Sequence, residues 1–325
     1  MRIVITGGAG FIGSHVADAA IRRGHEVLVL DDLTTGHRTN VPEEALFNHL
    51  DIRNGAAVRR ALGRFQPDVV CHQAAQTSVS LSTKEPGRDA EVNVLGSLEI
   101  LEAAVACGVE RVVFASTGGA IYGEIPDGVR ASERTPERPL SPYACSKLAV
   151  ERYLACYEHA AGLRYNILRY ANVYGPRQDP HGEAGVVAIF AERLLKNVEI
   201  QINARATLGD EGCVRDYVYV EDVVRANLAA IEGRVPTPVM NVCSGFETTT
   251  RELADQLAAL TGSRSRVTSA PQRDGDLERS VLDPSESLWL GEPTPLPKGL
   301  ARTVDWFRER ARHEPLDTSV VNCHA

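Results

Sequence analysis

Tyr143 and Lys147 stand four residues apart in the run Tyr-Ala-Cys-Ser-Lys. On a helix that spacing stacks a phenol and an ammonium one turn apart on one face. An ammonium so placed holds a tyrosine's proton affinity down, which gives an acid/base pair able to work near neutral pH. A second run does different work. Ile3-Val4-Ile5 passes through Thr6 into Gly7, Gly10 and Gly13, with Phe11 and Ile12 opening a helical pattern. Glycine lets the backbone approach a pyrophosphate, and the helix start offers N–H groups and partial positive charge. The spacing is G-x-x-G-x-x-G, one residue wider at its start than the G-x-G-x-x-G fingerprint. A dinucleotide seat and an acid/base pair in one chain point to hydride and proton transfer at a sugar-like carbinol.

The surrounding residues favour one cofactor. The apolar run Val27–Leu30 ends at Asp31, about twenty residues beyond the glycines, where a carboxylate binds the adenosine ribose hydroxyls. Asp31 and Asp32 would repel a 2′-phosphate, favouring NAD over NADP, although Arg38 lies nearby. Asp32 reads equally well as a solvated loop charge. Asp51-Ile52 follow another apolar position and could contact adenine. Ser141-Pro142 is a helix start, a capping hydroxyl followed by a proline whose missing N–H costs nothing there. A Tyr/Lys pair at this spacing can be a mere exposed helical pair, but here it follows a strand ending in Ser116-Thr117.

The elements that must position these groups alternate along the first half. Short apolar runs at 3–5, 27–30, 69–71, 112–114 and 165–168 are separated by helical patterns at 14–23, 90–107 and 142–160. Strands buried on both faces read as continuous apolar runs, so the expected class is α/β, a Rossmann-type doubly wound parallel sheet with a smaller α/β C-terminal substrate domain. Residues 1–175 with about 213–245 would form the NAD-binding part, the run at 239–242 returning to the first sheet. About 176–212 and 246–312 would bind the substrate, with helices at 186–195, 250–260 and near 300–312, and 313–325 would be a loose tail.

Composition removes other classes. The 325 residues are 43% hydrophobic and 24% charged with net charge −8, so no global positive field invites nucleic acid. No apolar run reaches the roughly 18–20 residues of a membrane span, and the N-terminus turns too early for a signal peptide. Seven cysteines form no CxxC pair, which argues against a disulfide framework or structural zinc and for a reducing cytoplasm. Most, including Cys145, read as packing. His15, His72 and His181 lack metal-ligand spacing, so no metal is expected. Neither a G-x-S-x-G elbow nor a phosphate-binding G-x-x-x-x-G-K-[ST] loop occurs.

Six segments carry a family resemblance: TGGAGFIGSH (6–15), ASTGGAIYG (115–123), SPYACSK (141–147), LRYANVYGPRQ (168–178), VRDYVYVEDV (214–223) and RDGDL (273–277). From Met1 to about Arg310 the chain resembles an extended short-chain dehydrogenase/reductase of the NAD-dependent epimerase/dehydratase family, most closely its UDP-glucose 4-epimerase branch. The resemblance implies NAD contacts from Gly7, Gly10, Phe11, Ile12, Gly13, Asp31, Asp32, Asp51, Ile52, Gln73, Ala74, Ala75, Asn93, Tyr143, Lys147 and Tyr170. It makes Thr117 the hydroxyl beside the reacting sugar oxygen, Tyr143 the acid/base and Lys147 the group that binds the nicotinamide ribose and stabilises the phenolate. Asn172, Val186, Arg215, Arg273 and Asp276 would hold the UDP-sugar, the arginines clamping its diphosphate and Asp276 the uridine ribose.

Two departures from the family pattern bear on the reaction. Dehydratases of the family place an Asp-Glu pair after the threonine, where this chain has Gly118-Gly119, which favours 4-epimerisation. The segment 198–213 differs from the shorter Phe-Gly turn that contacts uracil, and Gln73 and Thr77 also differ from common residues. UDP-N-acetylhexosamine or UDP-uronate epimerases, a UDP-uronate decarboxylase and a non-catalytic NAD-sensing protein stay open as alternatives. The resemblance further implies a homodimer through a four-helix bundle of the helices near 90–107 and 143–160, with Leu98, Leu101 and Leu154 as candidate contacts.

Overall fold

The computed structural model describes residues 1–181, 185–273 and 275–313. The strands are β1 (Arg2–Thr6), β2 (Glu26–Asp31), β3 (Leu46–His49), β4 (Val69–His72), β5 (Arg111–Thr117), β6 (Arg164–Tyr170), β7 (Asn172–Tyr174), β8 (Ile200–Asn203), β9 (Val214–Tyr219), β10 (Val239–Val242), β11 (Glu247–Thr249), β12 (Val267–Ala270) and β13 (Arg279–Ser280). Seven of them form one parallel sheet in the order β10-β6-β5-β4-β1-β2-β3. The chain winds outward from β1 through β2 and β3, then restarts at β4 on β1's other side. That reversal opens a crevice at the carboxyl ends of β1 and β4, where this architecture binds dinucleotides.

The expected strands form because their side chains meet apolar helices on both faces. Ile3, Ile5 and Val29 pack on one face and Val4, Leu28 and Leu30 on the other, all at most 4% exposed. The strand β3 has no such run. It is a largely exposed edge whose register is set by β2 alone.

A second sheet pairs β9 with β11, β13 and β7, and a third pairs β8 with β12. Helices Val186–Leu195, Thr250–Thr261 and Leu296–His313 share a third core around Leu194, Leu253, Leu257 and Phe307. Thr249 and Glu252 close a capping box at the start of the second of these. Of the tail expected at 313–325, residue 313 ends a helix, and 314–325 lie outside the described residues.

Three expectations need correction. The helical pattern at 90–107 is not uniform: a helix at Pro86–Ala90 passes through a π-turn, Glu91–Leu95, into a helix at Gly96–Ala106. Leu101 and Leu154 are each 1% exposed in the core under the main sheet, so neither can face a partner; half-buried Leu98 packs against the same cluster. Among the described cysteines, Cys71, Cys213 and Cys243 are buried, but Cys145 and Cys156 are exposed, because their positions fall on the outer stripe of their helix. No described helix is long and apolar enough to cross a membrane.

Candidate active site

The glycine turn is made by contacts that exclude side chains. Gly7 has φ +68°, and a Cβ there would lie 2.7 Å from the Ala74 backbone nitrogen. A Cβ on Gly13 would lie 2.2 Å from the Gly7 carbonyl oxygen. The helix Phe11–Arg22 can therefore start hard against β1 only with glycine at both places, and its first N–H groups face the crevice. Ser14 lies one turn in, buried, so the cradle fits a dinucleotide pyrophosphate.

Asp31 ends β2 and accepts hydrogen bonds from the backbone N–H groups of Ala9 (2.9 Å) and Leu33 (2.8 Å). It thus ties the glycine turn to the next loop, while burial pushes its carboxyl upward. Asp32 is exposed; its carboxylate accepts from Thr34 N–H and its carbonyl pairs with His49 Nε2. Asp51 is engaged by the Arg53 guanidinium at 2.5 Å, and Ile52 is core, pressed against Gly96. Asp51 keeps 35% of its side chain exposed.

Beneath the turn runs a buried polar chain. Ser97 donates to the Asn93 carbonyl (2.6 Å), so its oxygen accepts from His72 Nε2–H (2.9 Å). His72 Nδ1 then accepts from the Thr6 hydroxyl (2.6 Å), which itself accepts from Ala74 N–H (3.1 Å). Burial holds His72 neutral, with its pKa down at about 3. The chain locks the ends of β1 and β4 to the π-turn. Beside it, Gln73 donates to Tyr170 Oη (3.1 Å) and Asn227 Oδ1 (2.9 Å), while Asn93 holds both backbone groups of Gln76 at 2.9 Å. Ala75 belongs to the same stretch and makes none of these bonds.

The catalytic-pair helix, Pro142–Ala161, starts as expected: Ser141 Oγ accepts from Ala144 N–H at 3.2 Å. Tyr143 meets Thr117, the last residue of β5, in a cleft of about 270 Å³ that Gly119, Ala120, Asn172, Arg215 and Asp276 also line. The end of β5 is braced from behind. Ser116 donates to Glu151 (2.6 Å), and the buried Arg169 binds Glu151, Glu137 and Tyr122.

Lys147 lies one turn beyond Tyr143 on the same helix. Its Nζ donates to the Ala115 carbonyl (2.9 Å) and lies 6.0 Å from the Tyr143 ring centroid. Burial pushes Tyr143 up to about 12, with the charge of Asp89 adding to the rise and the Thr117 hydrogen bond opposing it. Burial pushes Lys147 down to about 8, opposed by Asp89 and Glu151.

A model of the NAD dependent epimerase/dehydratase family matches residues 3–243. The chain belongs to that family. Among its members, a UDP-glucose 4-epimerase of Mycolicibacterium smegmatis is 42% identical over 96% of this chain and 100% of its own. The crystal structure of a Thermus thermophilus UDP-glucose 4-epimerase in complex with NAD superposes with a TM-score of 0.91 at 53% identity, covering 95% of this chain and 99% of that one. A Thermotoga maritima UDP-glucose 4-epimerase with UDP-glucose superposes at 0.90 and 45% identity, over 96% and 100%.

Within this family member the fold brings Thr117, Tyr143, Asn172, Arg215 and Asp276 to one cleft. A neighbouring cleft of about 260 Å³ is lined by Thr77, Asn172, Val186, Gln178 and Tyr217. Arg273 does not line either cleft; it is exposed on the loop that leads to Asp276. The Arg215 guanidinium donates to the carbonyls of Val214 (3.0 Å) and Leu277 (2.6 Å), which fixes it over the cleft. Gln178 was not singled out from sequence. Its Nε2 donates to Val173 O at 3.0 Å, while its Oε1 is buried at the second cleft with no partner among the described residues. Only folding reveals such an atom, since nothing in the run Gly-Pro-Arg-Gln marks it.

Proposed function

We propose that this protein is an NAD-dependent 4-epimerase of a UDP-hexose of the UDP-glucose/UDP-galactose type, working through a transient 4-keto sugar. Its full-length likeness to enzymes of that name supports the reading. One observation carries it: Thr117 and Tyr143 share a cleft, and Gly118-Gly119 after Thr117 bring no carboxyl to it. A Cβ on Gly118 would meet Leu282 Cδ1 at 2.4 Å and the Arg169 carbonyl at 3.2 Å. Among the described lining residues Asp276 is the one acid, so the carboxyl pair that elimination of water needs is missing.

Bound NAD supplies the acceptor and donor of the C4 hydride. Thr117 hydrogen-bonds the sugar 4-oxygen, and Tyr143 takes the hydroxyl proton and later returns it. Lys147, anchored by the Ala115 carbonyl, keeps a positive charge beside the cofactor's ribose site. Arg215 and Asn172 hold the diphosphate, and Asp276 the ribose, while the sugar turns over. Residues 1–175 with about 213–245 serve NAD, and about 176–212 with 246–312 the nucleotide sugar. We further read the protein as a cytoplasmic homodimer, a reading supported by Leu95, Val105 and Tyr153, exposed on the helical segments expected to pair.

A UDP-uronate substrate would need a cation facing its C6 carboxylate. Arg215 is the one cation among the described lining residues, and the diphosphate claims it. Incubation with a UDP-sugar panel tests the proposal: a product of unchanged mass and inverted C4 is expected. Loss of water or carbon dioxide, or no conversion with NAD bound, would refute it.

Gln178 Oε1, without a partner among the described residues, accepts a donor from the bound nucleotide sugar on this reading. Gln178→Leu should raise KM by roughly three- to tenfold, the worth of one hydrogen bond, with kcat little changed. Steady-state kinetics with an unaltered KM would remove Gln178 from the site.

A further inference from the structure

Asp89 is 1% exposed and sits in the short helix before the π-turn. Its carboxylate takes three hydrogen bonds from three separate segments. Gln76 Nε2 (2.8 Å) and Asn93 Nδ2 (2.9 Å) donate to Oδ1, and Ser146 Oγ (2.6 Å) donates to Oδ2. Gln76 belongs to the loop after β4, Asn93 to the π-turn, and Ser146 to the helix bearing Tyr143 and Lys147. Three donated bonds to acceptors only are what an ionised carboxylate satisfies. Such a buried anion favours a buried cation nearby, and Lys147, 4% exposed and next in sequence to the Ser146 that Asp89 holds, feels its charge.

We propose that Asp89 is a positioning residue of the Tyr143–Lys147 pair: it pins the catalytic helix to the loop after β4 through Ser146 and supplies the fixed counter-charge of Lys147. The role of the pair rests on the proposed epimerase reading, but the tether and the charge are properties of the protein alone. The π-turn has a reason in this arrangement, since it delivers Asn93 to both Gln76 and Asp89.

The charges that face the pair are few. Lys147 feels Asp89 and Glu151, with neutral His72 close by, and Tyr143 feels Asp89 and the Thr117 hydroxyl. Glu151 is itself matched by Arg169 at 2.5 Å. Removing the Asp89 charge therefore leaves Lys147 without its largest support and makes both groups give up protons at lower pH.

Lys147 can be watched directly, because Lys84, Lys196 and Lys298, the other lysines, are all exposed. NMR titration of the protein carrying 13C-labelled lysine follows Lys147 with no substrate present. In Asp89→Asn, which keeps shape and loses charge, its titration should move down by roughly one unit; an unmoved titration overturns the counter-charge. Ser146→Ala leaves the carboxylate in place and cuts only the tether. It should lower kcat several-fold without moving the Lys147 titration, and a wild-type kcat overturns the tether even if Asp89→Asn fails to fold. Wild-type protein that converts no UDP-sugar while Lys147 shifts as expected would sink the epimerase reading and leave the counter-charge standing.

Discussion

Tyr143→Phe is expected to lower kcat by roughly 10³–10⁴-fold while leaving NAD bound and the fold unchanged, the span typical of a lost general acid/base. The ring lines the cleft with Thr117, and the variant keeps its packing and loses one oxygen. The pH dependence sharpens the expectation. Tyr143 stands near 12 and Lys147 near 8 in this protein. Raising the pH through about 8 removes the ammonium that supports Tyr143 as acid/base, so wild-type turnover should fall on the alkaline side with Lys147's titration. Rapid-quench assays with UDP-glucose and absorbance of retained NAD measure both parts. Near-normal turnover by the phenylalanine variant would end the assignment.

Gly13→Ala should strike the cofactor instead. The new methyl would sit 2.2 Å from the Gly7 carbonyl oxygen and 2.9 Å from the Gly8 Cα, and backbone has little freedom to retreat. Overpacking of this kind costs about 1–3 kcal/mol. Directed into displacing the turn, it would weaken NAD binding by roughly 10- to 100-fold. Calorimetric titration of the nucleotide-stripped protein reads that change, and an unchanged affinity would show that the turn is not the pyrophosphate seat.

The parts legible beforehand were those in which local chemistry and tertiary role coincide. Continuous apolar runs became the doubly buried strands β1, β2, β4, β5 and β6 because two helical layers wait for them. Ser141-Pro142 became a capped helix start for reasons confined to four residues. Edge strand β3 was illegible because its side chains are mostly exposed and its hydrogen bonds come from β2. The Tyr143–Lys147 spacing fixed a shared helix face but not the partners, and the Ala115 carbonyl claims the lysine. Arg273 and Gln178 show the same limit: the family resemblance suggested the first, and only burial identifies the second. Asp89, in a stretch with no motif, takes its donors from sites as far as 13 and 57 residues away.

The space over Gly118 also bears on how this sequence can evolve. Leu282, wholly buried and delivered from a distant part of the chain, occupies the place where a side chain at 118 would begin. A lone codon change that put a carboxyl there would meet a filled core before it met a substrate. Position 119 has ordinary room, so the two positions that follow Thr117 stand under unequal constraint, and a change at 118 is eased by a smaller residue at the distant position 282.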